Sequence, residues 1–371
     1  MSSSSSSSYH MALLMAVLVF LPAARSTVLI PSDKAQLAAW FAKEVGMFST
    51  RKVALHTMVA SAEKRAKIIT VRADGTGQFK TLTEAINSIP TNNQNRVIVC
   101  IGPGNYTEKV KIDRLKPFVT LHGDPINMPT LIYDGTALKY GTTDSGTLIV
   151  ESDYFSAVNI KVVNTAPRPD GKMKDAQAVA MDISGDYASF YNCRFHGFQD
   201  TLLDDKGRHF FKDCYIEGTV DFIFGAGQSL YLNSEIHVIP GDKMAIITAH
   251  SRSKPDEGSG YVFAHCSITG SGGTAYLGRS WFDYSRVIFA FCDMSDVVIP
   301  EGWSNNRQPE TNGTVYFGEF NNRGPGAALN SRVTFCKKMT ESDCNQFLSL
   351  SYIEAATWLL PPATVQLPAA R

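Results

Sequence analysis

The stretch FFKDCYI, residues 210–216, is the clearest copy of a pattern that recurs along the chain. It joins aromatic and β-branched residues to a short polar break and a small residue, a composition that favours a β-strand. Related runs are FSAVNI from 155, FYNCRF from 190, LYLNSEI from 230, YVFAHCSI from 261 and VIFAFCDM from 287. Alignment of these runs places one residue of each at a shared position: Val158, Cys193, Cys214, Ser234, Cys266 and Cys292.

The spacing of this repeat decides between two all-β architectures. The shared position recurs at separations of 35, 21, 20, 32 and 26 residues, which suits the coils of a solenoid that carry loop insertions. A β-sandwich, the alternative, would repeat its strands at about 8 to 12 residues. We therefore predict a right-handed parallel β-helix over residues 68–337, with the repeated cysteines as an internal ladder that fills the core.

The two ends of the chain differ in composition from the repeat. Residues 11–21 are apolar and precede small residues in an Ala24-x-Ser26 pattern, which predicts a signal peptide over residues 1–26 and secretion to the extracellular space. Residues 27–67 and 338–371 contain segments of helix-forming composition. Solenoids need elements that cover their exposed coils, so we expect an N-terminal helical cap segment and a C-terminal tail with a capping helix.

Charge and cysteine content narrow the class of function. The chain carries 35 basic and 35 acidic residues, so neither nucleic acid nor a membrane surface is predicted as a partner. The seven cysteines show no C-x-x-C motif and no Cys/His grouping at zinc spacing, so no metal site is predicted. Secretion permits disulfides, and Cys336 and Cys344 are a candidate pair. Asn105 and Asn312 begin glycosylation acceptor tripeptides, provided that they are exposed.

One acid stands in an otherwise uncharged strand-like run, Asp221 in GTVDFIF, residues 218–224. An ionised carboxylate among Phe and Ile needs a partner that holds it there. Strand alternation would place Val220, Phe222 and Phe224 on one face and Asp221 on the other. If the face with the two Phe residues is interior, Asp221 projects outward onto the surface of the sheet.

A second acid, Asp200, precedes Asp221 by 21 residues, which is also the offset between Cys193 and Cys214. The two acids should therefore occupy neighbouring coils, which stack about 4.8 Å apart. Two carboxylates at so short a distance cannot both ionise easily, so the pKa of one rises and the pKa of the other falls. The spacing predicts an acid/base pair.

Four further residues form a coherent set with the two acids: Gln177, Gln199, Arg279 and Trp281. Amide donors can stabilise a developing oxyanion, Arg279 can hold one aspartate ionised, and Trp281 can stack on a sugar ring. A single Gln or Asp in a strand-rich protein is usually a turn or ladder residue. The recurrence of these residues at coil spacing is what favours a functional site.

The chain resembles the plant pectin methylesterase (pectinesterase) family in several ordered segments. They are VRADGTGQF from 71, GNYTEKV from 104, QAVA from 177, FQDTL from 198, YIEGTVDFIFG from 215 and LGRSW from 277. The resemblance runs from about residue 68 to 320 and implies a secreted β-helix that removes methyl esters from homogalacturonan (pectin) without a metal or cofactor. Residues 27–67 are too short for the inhibitor-like pro-region of many members, so the chain resembles the short form.

The resemblance also implies a role for each matching residue. Asp221 matches the nucleophile, Asp200 the general acid/base, Gln177 and Gln199 the oxyanion donors, Arg279 the residue that orients the nucleophile, and Phe224 and Trp281 the lining of the sugar groove. A proteinaceous inhibitor is a candidate partner, and the chain is expected to act as a monomer. Leu203 stands where the family usually has Tyr, which removes a possible sugar contact.

Other functions remain open at this point. Polygalacturonases share the β-helix and use carboxylates for glycosidic hydrolysis, and Asp204-Asp205 and Arg252-Ser-Lys254 resemble two of their short motifs, although NTA at 164 stands where Asn-Thr-Asp would be wanted. A pectate lyase would need a carboxylate cluster for calcium. A non-catalytic pectin-binding relative would be expected to have lost one of Gln177, Asp200, Asp221 or Arg279.

Overall fold

The computed structural model describes residues 28–46 and 55–365 and has the architecture of a parallel β-helix. Within those residues the chain winds through three sheets, here called A, B and C in the order that each coil visits them. Every pairing between strands of these sheets is parallel, which excludes the β-sandwich alternative because sandwich sheets are antiparallel. The expected signal peptide, residues 1–26, lies outside the described residues.

Sheet A is the largest sheet, with eleven strands. Its strands in stacking order are Lys67–Val71, Val97–Ile101, Val119–His122, Ser156–Val158, Ala188–Tyr191, Arg208–Lys212, Gln228–Leu232, Gly260–Ala264, Arg286–Ala290, Tyr316–Phe320 and Cys336–Lys338.

Sheets B and C have eight strands each. Those of sheet B are Asn105–Thr107, Thr130–Tyr133, Lys161–Asn164, Arg194–His196, Tyr215–Gly218, Glu235–Val238, Ser267–Thr269 and Asp293–Met294. Those of sheet C are Val110–Ile112, Leu148–Val150, Met181–Ile183, Leu202–Asp204, Ile223–Gly225, Ala245–His250, Ala275–Ser280 and Trp303–Ser304.

Aromatic side chains stack inside the solenoid along sheet A. Phe190, Phe211, Tyr231, Phe263 and Phe289 are cross-strand partners in successive coils, and neighbouring ring centroids lie 4.5 to 4.6 Å apart. Parallel, in-register strands repeat at about this spacing, so equivalent rings meet face to face. The ladder fixes the register of the coils that carry the site.

The predicted cysteine ladder is present next to these rings, with one correction. Cys193, Cys214, Ser234, Cys266 and Cys292 are buried at equivalent positions. The register pairs Tyr191 with Val158, so the residue equivalent to Cys193 is Ile160, two positions beyond the predicted Val158. The alignment erred because FSAVNI is apolar at both positions and gave no cue to the offset.

The residue before each ladder position makes the corner between sheets A and B, and in four successive coils it is Asn or Asp. Asn159, Asn192, Asp213 and Asn233 have φ of 58°, 50°, 57° and 52°, the left-handed region that Asn and Asp tolerate best among side-chain-bearing residues. Their side chains form a ladder too, since the Asn192 amide donates to Asn159 at 2.8 Å and the Asn233 amide to Asp213 at 2.6 Å. This corner explains the polar break in the repeat.

Helices occupy the flank and one end of the solenoid. The α-helices are Leu37–Val45, Thr57–Lys64, Leu82–Ser88, Ala137–Tyr140 and Glu341–Cys344, and the 3₁₀ helices are Lys34–Gln36, Thr143–Ser145, Pro309–Gly313, Pro325–Ala327, Leu329–Ser331, Leu350–Ile353 and Ala355–Thr357. Leu82–Ser88 packs into the interior cluster at the first coils.

The terminal segments pack against the outer face of sheet A. Trp40 and Phe41 from the N-terminal segment and Tyr352 and Trp358 from the C-terminal segment share an apolar cluster with sheet A residues such as Phe210. That face is apolar and would otherwise be exposed to water, so the terminal helices cover the flank as well as bringing the two ends of the chain together. The expected C-terminal capping helix is a pair of 3₁₀ turns instead, divided at Glu354, whose φ is 52°.

The predicted disulfide is absent, and all seven cysteines are free thiols. The Cys336 thiol donates to Glu319 Oε1 at 3.4 Å, whereas Cys344 is buried in the cluster outside sheet A. Nearness in sequence failed as a guide because the two residues lie on different elements, a sheet A strand and a terminal helix. Among the described helices, none has the length and apolarity needed to cross a bilayer.

Candidate active site

The two candidate acids lie where the chain turns from sheet B to sheet C. In their coils this connection is short, residues 197–201 and 219–222, whereas two preceding coils carry the longer loops 134–147 and 165–180. The next coil connects through residues 239–244. The short turns therefore leave a recess above sheet C, and long loops bound it on one side.

Both acids have the left-handed backbone conformation, with φ of 65° at Asp200 and 51° at Asp221. Non-glycine residues rarely adopt it without support, and such strain is often found at functional sites. The turn also breaks the predicted alternation: Phe222 is buried in the interior, but Phe224 lies outside, on the same side as Asp221. The expected grouping of Phe224 with Phe222 is thus wrong, because Asp221 belongs to the corner and the strand begins only at Ile223.

A groove of about 320 Å³ lies over this part of sheet C. Its lining includes most of the residues singled out from the sequence: Gln177, Asp200, Asp221, Phe224 and Trp281. Gln199 does not line it. The backbone carbonyl of Gln199 accepts a hydrogen bond from Ala178 at 3.2 Å, and its side chain is half-buried beside the groove.

Arg279 holds Asp221 in a two-pronged ion pair. Arg279 Nε donates to Asp221 Oδ1 at 2.8 Å, and Nη2 donates to Oδ2. The remaining nitrogen, Nη1, donates to Asn306 Oδ1 at 2.9 Å, so the guanidinium is fixed from both sides. A bidentate contact of this kind orients a carboxylate and favours its ionised form.

Asp200 is buried without such a partner. No hydrogen bond or ion pair to its carboxyl group is made by the residues that the structure describes. Burial, and next the negative charge of Asp221, raise the pKa of Asp200 well above its usual range, with Arg279 opposing them. Burial also raises the pKa of Asp221, but less, because the Arg279 charge and hydrogen bonds oppose it. The proton of the pair therefore resides on Asp200.

Gln177 enters the groove from the loop that precedes the Met181–Ile183 strand of sheet C. Its backbone carbonyl accepts a hydrogen bond from Ala137 at 2.8 Å, which ties the loop to its neighbour. Its side-chain oxygen is buried and has no hydrogen-bond partner among the described residues. A buried polar amide left unpaired is costly, and the identity of its O and N atoms is assigned from such partners, so this amide is available to a group that enters the groove.

Aromatic side chains form the other side of the groove. Trp281 is 45% exposed and Phe282 is 47% exposed, which is unusual for large rings unless they meet a ligand. The Arg279 guanidinium carbon lies 5.1 Å from the Trp281 ring centroid, so one arginine supports both the acid and the ring. Phe224 lines the floor between them.

Sequence reasoning missed several residues of the site. Asn306, Phe282, Thr142 and Thr143 lie in loops outside the repeat, so coil spacing gave no signal for them. Leu203 does line the groove, at the place where the loss of a sugar contact was expected. Asn306 has a φ of 54°, but its contact with Arg279 depends on the folded loop.

The residues that suggested a polygalacturonase are mostly placed elsewhere. Asp204 points into the core, where it binds His209 Nδ1 at 2.5 Å and accepts from the Tyr231 hydroxyl at 2.6 Å. Arg252 is buried and donates to backbone carbonyls, among them Glu257 at 2.9 Å and Tyr284 at 3.0 Å. Of this set only Asp205 lines the groove. In the described part of the chain, no cluster of His, Cys, Asp and Glu is arranged to hold a metal ion.

Comparison with known protein sequences identifies the family of the chain. The pectinesterase family model matches residues 68–356. Pectinesterase 1 of Olea europaea is 52% identical over 360 residues, 96% of this chain and 98% of the relative, and putative pectinesterase 63 of Arabidopsis thaliana is 55% identical over 79% of this chain and 86% of the relative.

The fold is also similar to that of solved structures of pectin methylesterases. Pectin methylesterase from carrot superposes with a TM-score of 0.68 at 32% identity over 74% of this chain and 88% of that chain, and the Aspergillus niger enzyme with a TM-score of 0.66 at 28% identity over 77% and 94%. These structures are right-handed parallel β-helices, which confirms the predicted fold class. The chain belongs to the pectinesterase family.

Proposed function

We propose that the protein hydrolyses the C6 methyl esters of homogalacturonan to free carboxylates and methanol, with Asp221 as the nucleophile. One observation carries the proposal: Asp221 is paired through both oxygens with Arg279, while Asp200, one coil away, is buried without a partner. The pair therefore offers one ionised and one protonated carboxyl group to the same groove. Ester hydrolysis through a covalent intermediate needs both states.

In the first half of the reaction, the Asp221 carboxylate attacks the ester carbonyl carbon of a bound methyl galacturonate. The tetrahedral intermediate carries an oxyanion, and the side-chain NH2 group of Gln177, which lines the groove, can donate a hydrogen bond to that charge. Collapse of the intermediate breaks the bond to methoxide, which takes the proton of Asp200 and leaves as methanol. An anhydride between Asp221 and the sugar C6 carbonyl remains.

In the second half, the ionised Asp200 takes a proton from water as the water attacks the anhydride. The C–O bond to Asp221 breaks, which restores the Asp221 carboxylate and the protonated Asp200. The galacturonic acid product then loses its remaining proton to solvent. Arg279 stays bound to Asp221 as its charge disappears and returns, which keeps the departing carboxylate oriented for the next cycle.

Other properties of the protein are part of the same proposal. We propose that residues 1–26 are a signal peptide, that residues 27–67 and 338–371 are terminal segments around a catalytic β-helix of residues 68–337, and that the protein is secreted to the cell wall and acts as a monomer. Asn105 and Asn312 are both exposed, which supports their glycosylation. A proteinaceous inhibitor that covers the groove is a candidate partner.

The decisive experiment separates ester cleavage from chain cleavage. We expect the purified protein to release methanol from highly methylated pectin while the viscosity and the number of reducing ends stay constant, because hydrolysis of the methyl ester leaves the glycosidic bonds intact. Chain shortening without methanol would replace the esterase proposal with the glycosidase alternative. Binding of pectin with neither product would favour the non-catalytic alternative.

A further inference from the structure

The groove runs along the stack of coils rather than across it. One outward row of sheet C consists of Asp182, Leu203, Phe224, Ala249 and Arg279, which are cross-strand partners in successive coils. Coils repeat at about 4.8 Å, and the groove lining extends from residues before Leu203 to residues beyond Arg279. A polymer that lies in this groove presents successive sugars to successive coils.

The two ends of the groove differ in charge. On the side of the later coils, the neighbours of the reacting centre are Trp281 and Phe282, with the Arg279 guanidinium beneath the Trp281 ring. On the other side of Asp221, one coil earlier and in the same coil as Asp200, Asp205 lines the groove. Its carboxyl group forms no hydrogen bond or ion pair with the residues that the structure describes, so its charge is available to whatever binds there.

A second acid lies behind Asp205 in the preceding coil. Asp182 is only 1% exposed, and its Oδ1 has no hydrogen-bond partner among the described residues. Burial, followed by the negative charge of Asp205, raises the pKa of Asp182 to about 8. Burial raises the pKa of Asp205 as well, but less, and the Lys206 charge opposes the rise. Of the two acids, Asp182 therefore holds its proton at neutral pH, and Asp205 carries the negative charge that faces the groove.

We infer that Asp205 is a specificity-determining residue, which makes the groove favour a methyl-esterified galacturonate over an ionised one at the position next to the reacting sugar, on the side of the earlier coils. This inference rests on the proposed function, since that substrate contains both neutral and anionic sugars. A carboxylate near Asp205 meets a like charge across partly buried space, whereas a methyl ester does not.

The test compares wild type with Asp205→Asn on pectins of high and low methylation, measuring kcat/KM for methanol release. The substitution removes the charge and retains the shape, so we expect the preference for the highly methylated substrate to fall about fivefold, the size expected for one unit-charge repulsion at about 4 Å in water. Asp205→Glu keeps the charge and should keep the preference. An unchanged ratio in Asp205→Asn overturns the inference.

Asp213→Asn is the matched control. Asp213 also carries one negative charge, but it lies at the corner between sheets A and B, where neighbouring coils already have Asn192 and Asn233. The control should leave the substrate ratio unchanged, and an equal shift in both variants would mean that net charge alone is responsible, which contradicts a local role of Asp205.

A binding measurement separates this inference from the proposed function. Asp205→Asn should bind fully de-esterified polygalacturonate about fivefold more tightly than wild type does, because the same repulsion is absent. This result in a protein that released no methanol would sink the proposed esterase activity and support charge selection by Asp205. Unchanged binding of polygalacturonate, together with normal methanol release, would support the esterase activity and overturn charge selection by Asp205.

Discussion

Two buried aspartates one coil apart, Asp204 and Asp221, each pair with a basic side chain, but their surroundings differ. Asp204 is enclosed in the core, where one oxygen meets His209 and the other accepts from the Tyr231 hydroxyl. His209 is completed by a contact with the Gly185 carbonyl at 2.9 Å. Asp221 is also held through both oxygens by Arg279, but it lines an open groove.

The difference lies in what surrounds each ion pair. Around Asp204, the polar groups of its partners His209 and Tyr231 make their hydrogen bonds within the core. This group of residues can therefore only stabilise or specify the fold. Around Asp221 there are polar groups with nothing bound to them, the carboxyl of Asp200 and the amide of Gln177. Buried polar groups that remain unpaired next to a cavity are a better sign of function than the ion pair itself.

The largest expected effect is on activity and comes from Asp221→Asn. The amide cannot act as the nucleophile, so methanol release should fall by at least ~10³-fold, the order seen when a catalytic nucleophile is removed. The thermal midpoint should change little, because Asn still fills the site beside Arg279. A variant that unfolds, or that keeps its activity, would place Asp221 with Asp204 as a structural acid.

Asp204→Asn should have the opposite effect, a loss of stability rather than a loss of activity. Burial alone would lower the pKa of His209, but the Asp204 charge and hydrogen bond outweigh it and raise that pKa. Without the Asp204 charge, the buried His209 ring must either stay charged without a partner or lose its proton. The free energy of unfolding should therefore fall by up to ~3–5 kcal/mol in chemical denaturation. In wild type this stabilisation is present at low pH and is lost as pH rises through the raised pKa of His209. A variant as stable as wild type, with reduced kcat, would contradict the comparison.

The two glutamines should differ, although the family resemblance gives them one role. Gln177 lines the groove with its oxygen unpaired, whereas Gln199 does not line it. We expect Gln177→Ala to lower kcat by ~10²- to 10³-fold, the loss typical of one oxyanion donor, with a smaller loss for Gln199→Ala. Steady-state kinetics on methylated pectin provides the measurement. Equal losses would show that Gln199 reaches the oxyanion in the bound state.

The smallest expected effect is the change of kcat/KM with pH. Ionised Asp221 and protonated Asp200 are both required, so kcat/KM should rise through the pKa of Asp221 and fall again through the higher pKa of Asp200, by about tenfold per pH unit beyond each limb. Because burial raises the pKa of Asp221, the acid limb should lie above the range of an ordinary aspartate. A profile that rises and then stays level would contradict a proton donated by Asp200.

Much of the fold followed from a single local pattern. The repeat around FFKDCYI predicted parallel coils, a small-residue ladder at Cys193, Cys214, Cys266 and Cys292, and acids on adjacent coils. These features are readable because a parallel, in-register stack converts sequence offsets directly into spatial neighbours. The same rule wrongly chose Val158 instead of Ile160, because FSAVNI is apolar at both positions.

The roles of individual side chains were decided by tertiary structure. Asp204 and Asp205 are adjacent in sequence, yet one is sealed against His209 and the other faces the groove. Phe224 is outside rather than inside because the corner at Asp221 resets the alternation, and Asn306 reaches Arg279 from a loop with no counterpart in the repeat. Sequence by itself determined which residues share a coil position, since spacing encodes it. Burial, charge and open space around each residue depend on distant segments, so only the folded chain decided which acid reacts and which one supports the core.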